Sequence, residues 1–368
     1  MKGVTMRKWG LVLVIGAVLS VAAPAISVAD TLRIGAILSL AGNSAANGQA
    51  MRDGIMLAVD EINKRGGVSG NRIEIVVEDS KSDPKTAVDG FARMEKLPRP
   101  PLFYLSFLSS VGVALAPLAD AGKVVLVGLV SSTVALTHGH EYVYRYWPLS
   151  QSDIPPILRI LQDLKVKKLG ILFSNEEYGI EEARLLKSGF EGAGGTVHVQ
   201  SFELTDTVHT QQIEALKGQD AIFLATLGAN LTNAVRELRA VNFSGPILMP
   251  SSGASPDLFV APEMQGVYLS APIIYNPAYL YARDAADKFT ARYHQPFNHW
   301  AAAGYDFMKL ITGLLEDRPL SRSGVKNALA AGFEYSGVFG AVRVKPGEHD
   351  ITFPMYPAQI LTSTIKFR

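Results

Sequence analysis

The chain has 368 residues, 48% of them apolar, a formal net charge of +1 and no cysteine. The lack of cysteine excludes disulfides, thiolate metal sites, thiol catalysis and a lipidated cysteine anchor. No basic run is present, so we expect no nucleic-acid surface. The length is comfortable for two domains, each large enough to bury a core without disulfides.

The first 29 residues have the pattern of a secretory signal. Basic residues within the first eight positions precede an apolar stretch at 11–23, and small side chains follow at Ser27 and Ala29. The apolar stretch is too short to span a bilayer comfortably, so we predict a signal peptide over 1–29, cleaved after Ala29. An uncleaved membrane anchor is the alternative. We expect the mature chain to be a free periplasmic protein.

Strand-like and helical patterns alternate after the signal. We predict strands over 32–40, 72–79, 101–107 and 123–130, and helices over 48–67, 83–97 and about 111–121. This alternation indicates a parallel sheet with helices on both faces. Ligands of such sheets bind beyond the carboxyl ends of the strands.

The pattern restarts after residue 153. Helices are predicted over 154–166, 176–195, 209–218 and 230–243, and strands over 167–174, 196–204, 219–227 and 245–252. The fold class is therefore α/β, with two doubly wound units of similar size. A helical block follows at 279–317, with strand-like pieces after it. The simplest packing returns this block to the first unit, so the chain crosses between units more than once.

Two predicted strands of the first unit end on hydroxyl groups and run into helical segments. One strand ends on Ser109 and Ser110, and the next ends on Ser131, Ser132 and Thr133. A strand end followed by a helix start presents free N–H groups that favour an anion. The alternative is that these hydroxyls only cap the helices.

Enzyme signatures are missing from the chain. There is no G-x-S-x-G, no Walker loop and no H-E-x-x-H. The "HGHE" segment at 138–141 could contribute ligands to a metal ion, but such a segment is more often a solvated loop. An exported hydrolase using one of the serines would need a neighbouring base, and His138 alone is placed by motif near them. We expect no enzyme activity, no metal and no cofactor.

The segment "LRIGAILSLAGNSAANGQAMRDGIMLAVDEINKRGGVSGNRIEIVVEDSKSDPKTAV" resembles the first lobe of ABC-importer binding proteins of the leucine/isoleucine/valine type. "VYRYWPLSQSD", "SNEEYGIEEA", "GFEGAGGTV" and "EMQGVYLSAP" agree with that family. The resemblance implies the type I periplasmic binding protein fold, in which two Rossmann-like lobes joined by a three-crossover hinge close around a ligand. It also implies delivery of the ligand to an inner-membrane ABC permease, and we expect a monomer.

This fold lets each lobe be assigned to two segments of the chain. Lobe 1 comprises 30–147 plus 274–337, and lobe 2 comprises 148–273 plus 338–368.

The resemblance also implies which residues touch the ligand. In the family, hydroxyl and backbone N–H groups at two strand ends of the first lobe hold the ligand's carboxylate. Those positions fall on Ser132, with Ser131 and Thr133 beside it, and on or near Ser109 and Ser110. Tyr178 matches a second-lobe tyrosine that contacts ligand, and Asn47 lies where the family often has a contact before the first helix.

The chain departs from the family where an amino acid's ammonium group would bind. The family's acidic residue after the "PILMP" strand is replaced by Ser252, and Leu227 and Gly228 occupy the stretch where a tyrosine is expected. Asp257 could substitute only if its loop bends. An unpaired buried ammonium is costly. We therefore expect a small organic acid, aromatic or short aliphatic, or a related amide.

Apolar side chains are expected to line the body of this ligand: Phe107, Leu108 and Leu227. Trp300 and Tyr275 are candidate pocket or hinge aromatics, although core packing is the commoner role for such residues. Two alternatives stay open. The protein could bind a branched-chain or other amino acid, or it could be an amide or ligand sensor with the same fold.

Overall fold

The computed structural model describes residues 1, 3, 31–276 and 278–368. Apart from residues 1 and 3, the predicted signal peptide lies outside the described residues. None of the helices in the described ranges combines the length and the apolar character needed to cross a bilayer.

The first unit alternates strands and helices, as the sequence predicts. Its elements are β1 (Thr31–Leu38), α1 (Ala45–Lys64), β2 (Arg72–Asp79), α2 (Pro84–Glu95), β3 (Tyr104–Phe107), α3 (Ser109–Ala121), β4 (Leu126–Leu129) and β5 (Val143–Tyr146). α1 buries one apolar face, which includes Met51, Ile55 and Ile62. α2 begins next to Asp83, where the predicted helix starts, and the Asp83 side chain caps it by accepting a hydrogen bond from the N–H of Thr86 at 2.7 Å.

The second unit repeats this alternation. Its elements are α4 (Ile154–Asp163), β6 (Lys168–Ser174), α5 (Glu177–Gly192), β7 (Thr196–Phe202), α6 (Thr210–Leu216), β8 (Ala221–Ala225), α7 (Ala229–Ala240), β9 (Ile247–Met249), α8 (Pro256–Phe259) and β10 (Tyr268–Pro272).

The remaining elements are mainly helical and then extended. They are α9 (Arg283–Tyr293), α10 (His299–Leu315), α11 (Arg322–Ala330), β11 (Phe333–Gly337), β12 (Gly340–Val344), β13 (Asp350–Ile351), β14 (Met355–Leu361) and β15 (Thr364–Phe367). α10 packs across α1, where the carbonyl of Ala301 comes against Gly54. The late helical block therefore covers the first unit, as expected.

Two larger sheets share one topology. The first has the order β13-β5-β4-β3-β1-β2 with all pairs parallel. The second has the order β15-β14-β10-β9-β8-β6-β7, parallel from β10 to β7 and antiparallel at β14 and β15. In each sheet, the second strand lies on one side of the first strand and the later strands lie on the other. The strand order therefore switches between β1 and β3 and between β6 and β8. The predicted doubly wound α/β fold class is confirmed, and a ligand is expected beyond these switch points.

The chain passes between the two sheets after β5, after β10 and after β13. The sequence analysis put the third crossing at residue 337, but β13 pairs with β5 through Asp350 and Arg145, so this crossing follows Ile351. The reason is the β11–β12 hairpin, whose link buries Phe339 in the core of the first unit. Short strand-like pieces can pair with either sheet, and the sequence pattern did not distinguish between them.

The apolar core follows this division. One cluster of buried side chains surrounds the first sheet, and two smaller clusters cover the two faces of the second. Tyr178 and Leu227 come from the second unit but pack with the first cluster. The two units are thus in contact at the edge where the candidate site lies.

Candidate functional site

A cavity lies where the carboxyl ends of the two sheets face each other. The space between its walls, open solvent included, is about 330 Å³. The apolar part of its wall consists of Phe107, Leu108, Val130, Trp147, Leu227 and Trp300. The polar part consists of Ser109, Ser132, Tyr178, Ser251 and Ser252. Such a lining suits a small molecule with an apolar body and a polar group.

Ser109 reaches the cavity from the first turn of α3 and does not cap that helix. The N-cap residue is Leu108, which makes no side-chain cap hydrogen bond. Ser109 is 4% exposed and accepts a hydrogen bond from Ser131 Oγ at 3.3 Å. Ser110 is not part of the wall. An uncapped start of a 13-residue helix therefore adjoins the cavity, where free N–H groups favour an anion.

Of the three hydroxyl residues that follow β4, Ser131, Ser132 and Thr133, the one that lines the cavity is Ser132. It is 3% exposed, and its carbonyl accepts a hydrogen bond from the N–H of Ser150 at 2.7 Å. Ser131 instead donates to Ser109, and its carbonyl accepts from the Arg145 guanidinium at 2.7 Å. Ser132 thus lines the cavity, whereas Ser131 holds Ser109 in place.

Thr133 has a different role from the one expected of a ligand contact. Its hydroxyl accepts from the N–H of Ala135 and so caps the short helical turn that follows, as the capping alternative predicts. The same hydroxyl donates to Glu177 Oε1 at 3.2 Å, on the other side of the cleft. Asn43 Nδ2 likewise donates to the carbonyl of Leu227 at 3.4 Å. These two hydrogen bonds join the two units.

Leu108 and Val130 carry backbone strain at the cavity. They follow β3 and β4 and have positive φ angles of 77° and 56°. For bulky and β-branched residues such angles cost roughly 1–3 kcal/mol each, and they cluster at ligand sites. Both residues line the cavity. Leu108 directly precedes Ser109, and Val130 lies two residues before Ser132. The surrounding packing therefore holds both strand ends in an unfavourable conformation.

The opposite wall comes from the second unit. Tyr178, in the first turn of α5, is 6% exposed, and its hydroxyl has no hydrogen-bond partner in the described part of the chain. Burial raises the pKa of the Tyr178 phenol well above its usual value, so the group is a neutral donor. Ser251 donates to Asp153 Oδ2 at 2.8 Å, and Ser252 donates to the carbonyl of Thr226 at 2.8 Å.

Two carboxyl groups are buried behind this wall. Asp153 is 3% exposed and Glu182 is fully buried. Burial raises the pKa of Asp153 to about 6, although hydrogen bonds from serine hydroxyls oppose the shift. Burial and the nearby Asp153 charge raise the pKa of Glu182 well above its usual value. Neither carboxyl lines the cavity.

Aromatic side chains form the floor at the hinge. Trp300, near the start of α10, lies edge-on to Phe107 with ring centroids 5.5 Å apart. Trp147 follows β5, where the chain first crosses to the second unit. Both tryptophans are almost fully buried and both line the cavity.

His299 packs between the two tryptophans. Its ring centroid is 5.4 Å from that of Trp147 and 3.9 Å from that of Trp300. Its Nδ1 is bonded to the carbonyl of Ala254, in the second unit, and lies 2.9 Å from the hydroxyl of Tyr275. Burial lowers the pKa of His299 to about 3, so the ring is neutral and structural.

The structure brings together six of the residues that the sequence analysis selected: Phe107, Ser109, Ser132, Tyr178, Leu227 and Ser252. It places Leu108 and Trp300 beside them, as the analysis also suggested. Ser110, Ser131 and Thr133 do not line this cavity. Val130 and Trp147 were missed. Trp147 lies in the hinge segment "YRYW", where the sequence is equally compatible with a tryptophan packed in the core.

A second cavity adjoins the first. Its space, open solvent included, is about 680 Å³, and it shares Ser252 and Trp300 with the first cavity. Asn47 lines this second cavity. The other lining residues are Asn43, Ser44, Ala46, Gly228, Ala229, Leu231, Thr232, Ser255, Asp257 and Leu258. The loop after β9 thus bends enough to bring Asp257 into the cleft.

The "HGHE" segment lies away from both cavities. His140 Nδ1 is 2.7 Å from Asp120 Oδ2, in a separate surface depression. In the described ranges, no group of three or more histidine, aspartate or glutamate side chains is arranged to hold a metal ion.

Comparisons with known proteins identify similar chains. The model of a family described as "Periplasmic binding protein" matches residues 31–364. The Leu/Ile/Val-binding protein of Escherichia coli (strain K12) is 22% identical over 228 residues, which cover 60% of this chain and 61% of that protein. The match therefore spans about three fifths of the length of this relative.

Solved structures share the fold over a larger part of the chain. A leucine-binding protein, LivK, from Thermotoga maritima superposes with a TM-score of 0.83 at 19% identity, covering 92% of this chain and 97% of that one. A solute-binding protein of an ABC transporter from R. palustris, in complex with benzoate, superposes with a TM-score of 0.84 at 16% identity, covering 92% and 95%.

Proposed function

The chain belongs to the periplasmic binding protein family, and from that premise we propose that it is the solute-binding component of an ABC importer. In this role it binds a small organic acid, aromatic or short aliphatic, or a related amide, and delivers it to an inner-membrane permease. It acts in the periplasm after removal of the signal peptide, and it performs no chemistry on its ligand.

One observation carries the choice of ligand: within the described residues, the first cavity has five hydroxyl groups in its wall and no charged side chain. A carboxylate can be held there by Ser109, Ser132 and the uncapped N-terminus of α3. These donors are neutral and already positioned. Hydrogen bonds to an ionised group are roughly twice as strong as neutral ones, so a cation is not required.

The opposite wall supports the absence of an α-ammonium group. The position of the family's acid is Ser252, whose hydroxyl donates to the Thr226 carbonyl. The buried Asp153 accepts a hydrogen bond from Ser251 and does not line the cavity. A bound ammonium would have serine and tyrosine oxygens near it but no contacting carboxylate, and burial of such a charge is unfavourable.

The two sheet units act as the lobes that close. Their boundaries are 31–147 plus 274–351 and 148–273 plus 352–368, divided at the three crossings. The ligand binds first to the serines of the first lobe, and then Tyr178 and the Ser251–Ser252 loop close over it. Closure excludes water, which strengthens the hydrogen bonds to the carboxylate.

Amino-acid binding is the second candidate, favoured by the position of Asp153. Its carboxylate accepts hydrogen bonds from both the N–H and the hydroxyl of Ser251. Ser251 lines the cavity, so this single residue separates the carboxylate from it. The E. coli relative is named a Leu/Ile/Val-binding protein. A branched-chain amino acid would fit this candidate if Asp153 compensates the ammonium through Ser251.

A thermal-shift panel separates the two candidates. The mature protein is heated with benzoate, benzamide, hexanoate or L-leucine, each at a high concentration. A ligand present at 100 times its Kd stabilises the folded state by about 2.7 kcal/mol, which raises Tm by roughly 5 °C. We expect this shift with an acid or the amide and none with L-leucine. A shift with L-leucine alone would reject the organic-acid proposal.

A further inference from the structure

The two adjoining cavities differ in chemistry. The first has a largely apolar wall, whereas the second is lined by polar side chains from both units, among them Asn47, Thr232 and Asp257. They meet at Ser252 and Trp300, and Leu227 of the first is followed directly by Gly228 of the second. A ligand longer than benzoate could therefore extend from one cavity into the other.

Asp257 is the charged residue of the second cavity, and its side chain is exposed to the cleft. Its carboxylate accepts from Ser255 Oγ at 3.3 Å, and in the described part of the chain no lysine, arginine or histidine is paired with it. Desolvation by the neighbouring cleft residues raises its pKa. The side chain is nevertheless exposed to the cleft, so its carboxylate is accessible to a positively charged group on a ligand.

Another polar group in this cavity also lacks a partner. The Ser44 hydroxyl is 1% exposed, precedes α1 without capping it, and has no hydrogen-bond partner among the described residues. Asn47 lies on the same side of the cavity, opposite Asp257 in the second unit. These groups offer hydrogen bonds to the polar end of a ligand, beside the charge of Asp257.

The geometry points to an elongated ligand with a carboxylate at one end and an amine at the other. We propose that the first cavity holds the carboxylate and the apolar body, and that Asp257 binds a distal ammonium group in the second cavity. This inference rests on the proposed carboxylate site. It gives the second cavity a role that an α-amino acid could not fill, because there the two charged groups share one carbon.

The test uses pairs of acids that match in size and differ in the amine. Calorimetric titration of the mature protein compares γ-aminobutanoate with pentanoate, ε-aminohexanoate with heptanoate, and para-(aminomethyl)benzoate with para-ethylbenzoate. Since a hydrogen-bonded ion pair contributes about 1.5–3 kcal/mol, at least one amine should bind roughly tenfold more tightly than its partner. The length of that amine reports the span between the two sites.

Two variants test whether Asp257 causes the preference for the amine. Asp257→Asn should remove the preference for the amine and leave the affinity for the plain acid within about twofold. Asp287→Asn makes the same change of charge at an exposed position of α9, and the preference should persist. An amine preference that survives in Asp257→Asn would overturn the assignment. If the plain acids bind and the amines bind no better, this inference fails and the proposed function stands; if no acid binds, both fail.

Discussion

At the scale of single residues, the two serine groups divide their tasks. Ser109 and Ser132 line the cavity, Ser131 holds Ser109, and Thr133 caps a turn and bonds across the cleft. The sequence could show that hydroxyl groups collect at two strand ends. It could not show which of them turn inward, because that depends on the positive φ angle of Val130 and the start of α3 after Leu108.

Ser132→Ala should weaken carboxylate binding without changing the fold. Loss of one hydrogen bond to a charged group costs about 1.5–3 kcal/mol, so Kd for the best acid should rise at least roughly tenfold. Calorimetric titration measures the change. Ser110→Ala is the matched control, since Ser110 lies outside the wall, and its Kd should stay at the wild-type value. Equal affinity in Ser132→Ala and wild type would remove Ser132 from the site.

Asp153 should make stability depend on pH. Its pKa rises from 3.8 in the unfolded chain to about 6 in the fold. The penalty of ionising it in the fold is therefore absent below about pH 4 and complete above about pH 6, where it reaches about 3 kcal/mol.

Asp153→Asn removes this penalty and keeps an oxygen that can accept from Ser251. Urea unfolding from pH 4 to pH 7.5 should show that the variant gains stability relative to wild type as the pH rises. A stability difference that stays constant over this range would show that Asp153 is not held at a raised pKa.

At the scale of elements, the contact of α1 with α10 positions Trp300. A Cβ atom on Gly54 would lie 2.0 Å from the carbonyl oxygen of Ala301, and one on Gly304 would lie 2.5 Å from that of Met51. The two backbones thus meet where only glycine fits. Since Trp300 precedes Ala301 in α10, this crossing fixes one wall of both cavities.

Gly54→Ala should force the two helices apart. Overpacking of this kind costs about 1–3 kcal/mol, and we expect a loss of stability near the upper end because the clash is with backbone. Gly313→Ala, on α10 with no atom near its added Cβ, should instead stabilise by about 1 kcal/mol. Chemical denaturation of both variants tests the contact, which would be disproved if Gly54→Ala were as stable as Gly313→Ala.

The order of elements could be predicted because periodicity and caps were clear, as for the Asp83 cap of α2. The sequence analysis missed α11, although Ser321 caps it by accepting from the N–H of Gly324 at 3.1 Å. This helix has only nine residues and a weak apolar pattern, so tertiary packing decides it. The third crossing was misplaced for a related reason, since pairing of a two-residue strand is set by neighbours in space.

At the scale of the whole molecule, the hydrogen bond from Thr133 to Glu177 joins the two units away from the cavity wall. Glu177→Ala removes it and should favour the open form. Because closure is common to all ligands, affinities should fall by the same few-fold factor for every acid that binds. Glu181→Ala, on the same helix but paired with Arg184, is the control. Affinity losses that differ between ligands would place Glu177 in the site itself.

The most direct measurement is a crystal structure of the protein with the tightest-binding acid from the titrations. The account predicts the carboxylate between the hydroxyls of Ser109 and Ser132, at the start of α3, with the apolar body against Phe107 and Trp300. A carboxylate bound elsewhere, with both hydroxyls turned away from it, would contradict the account.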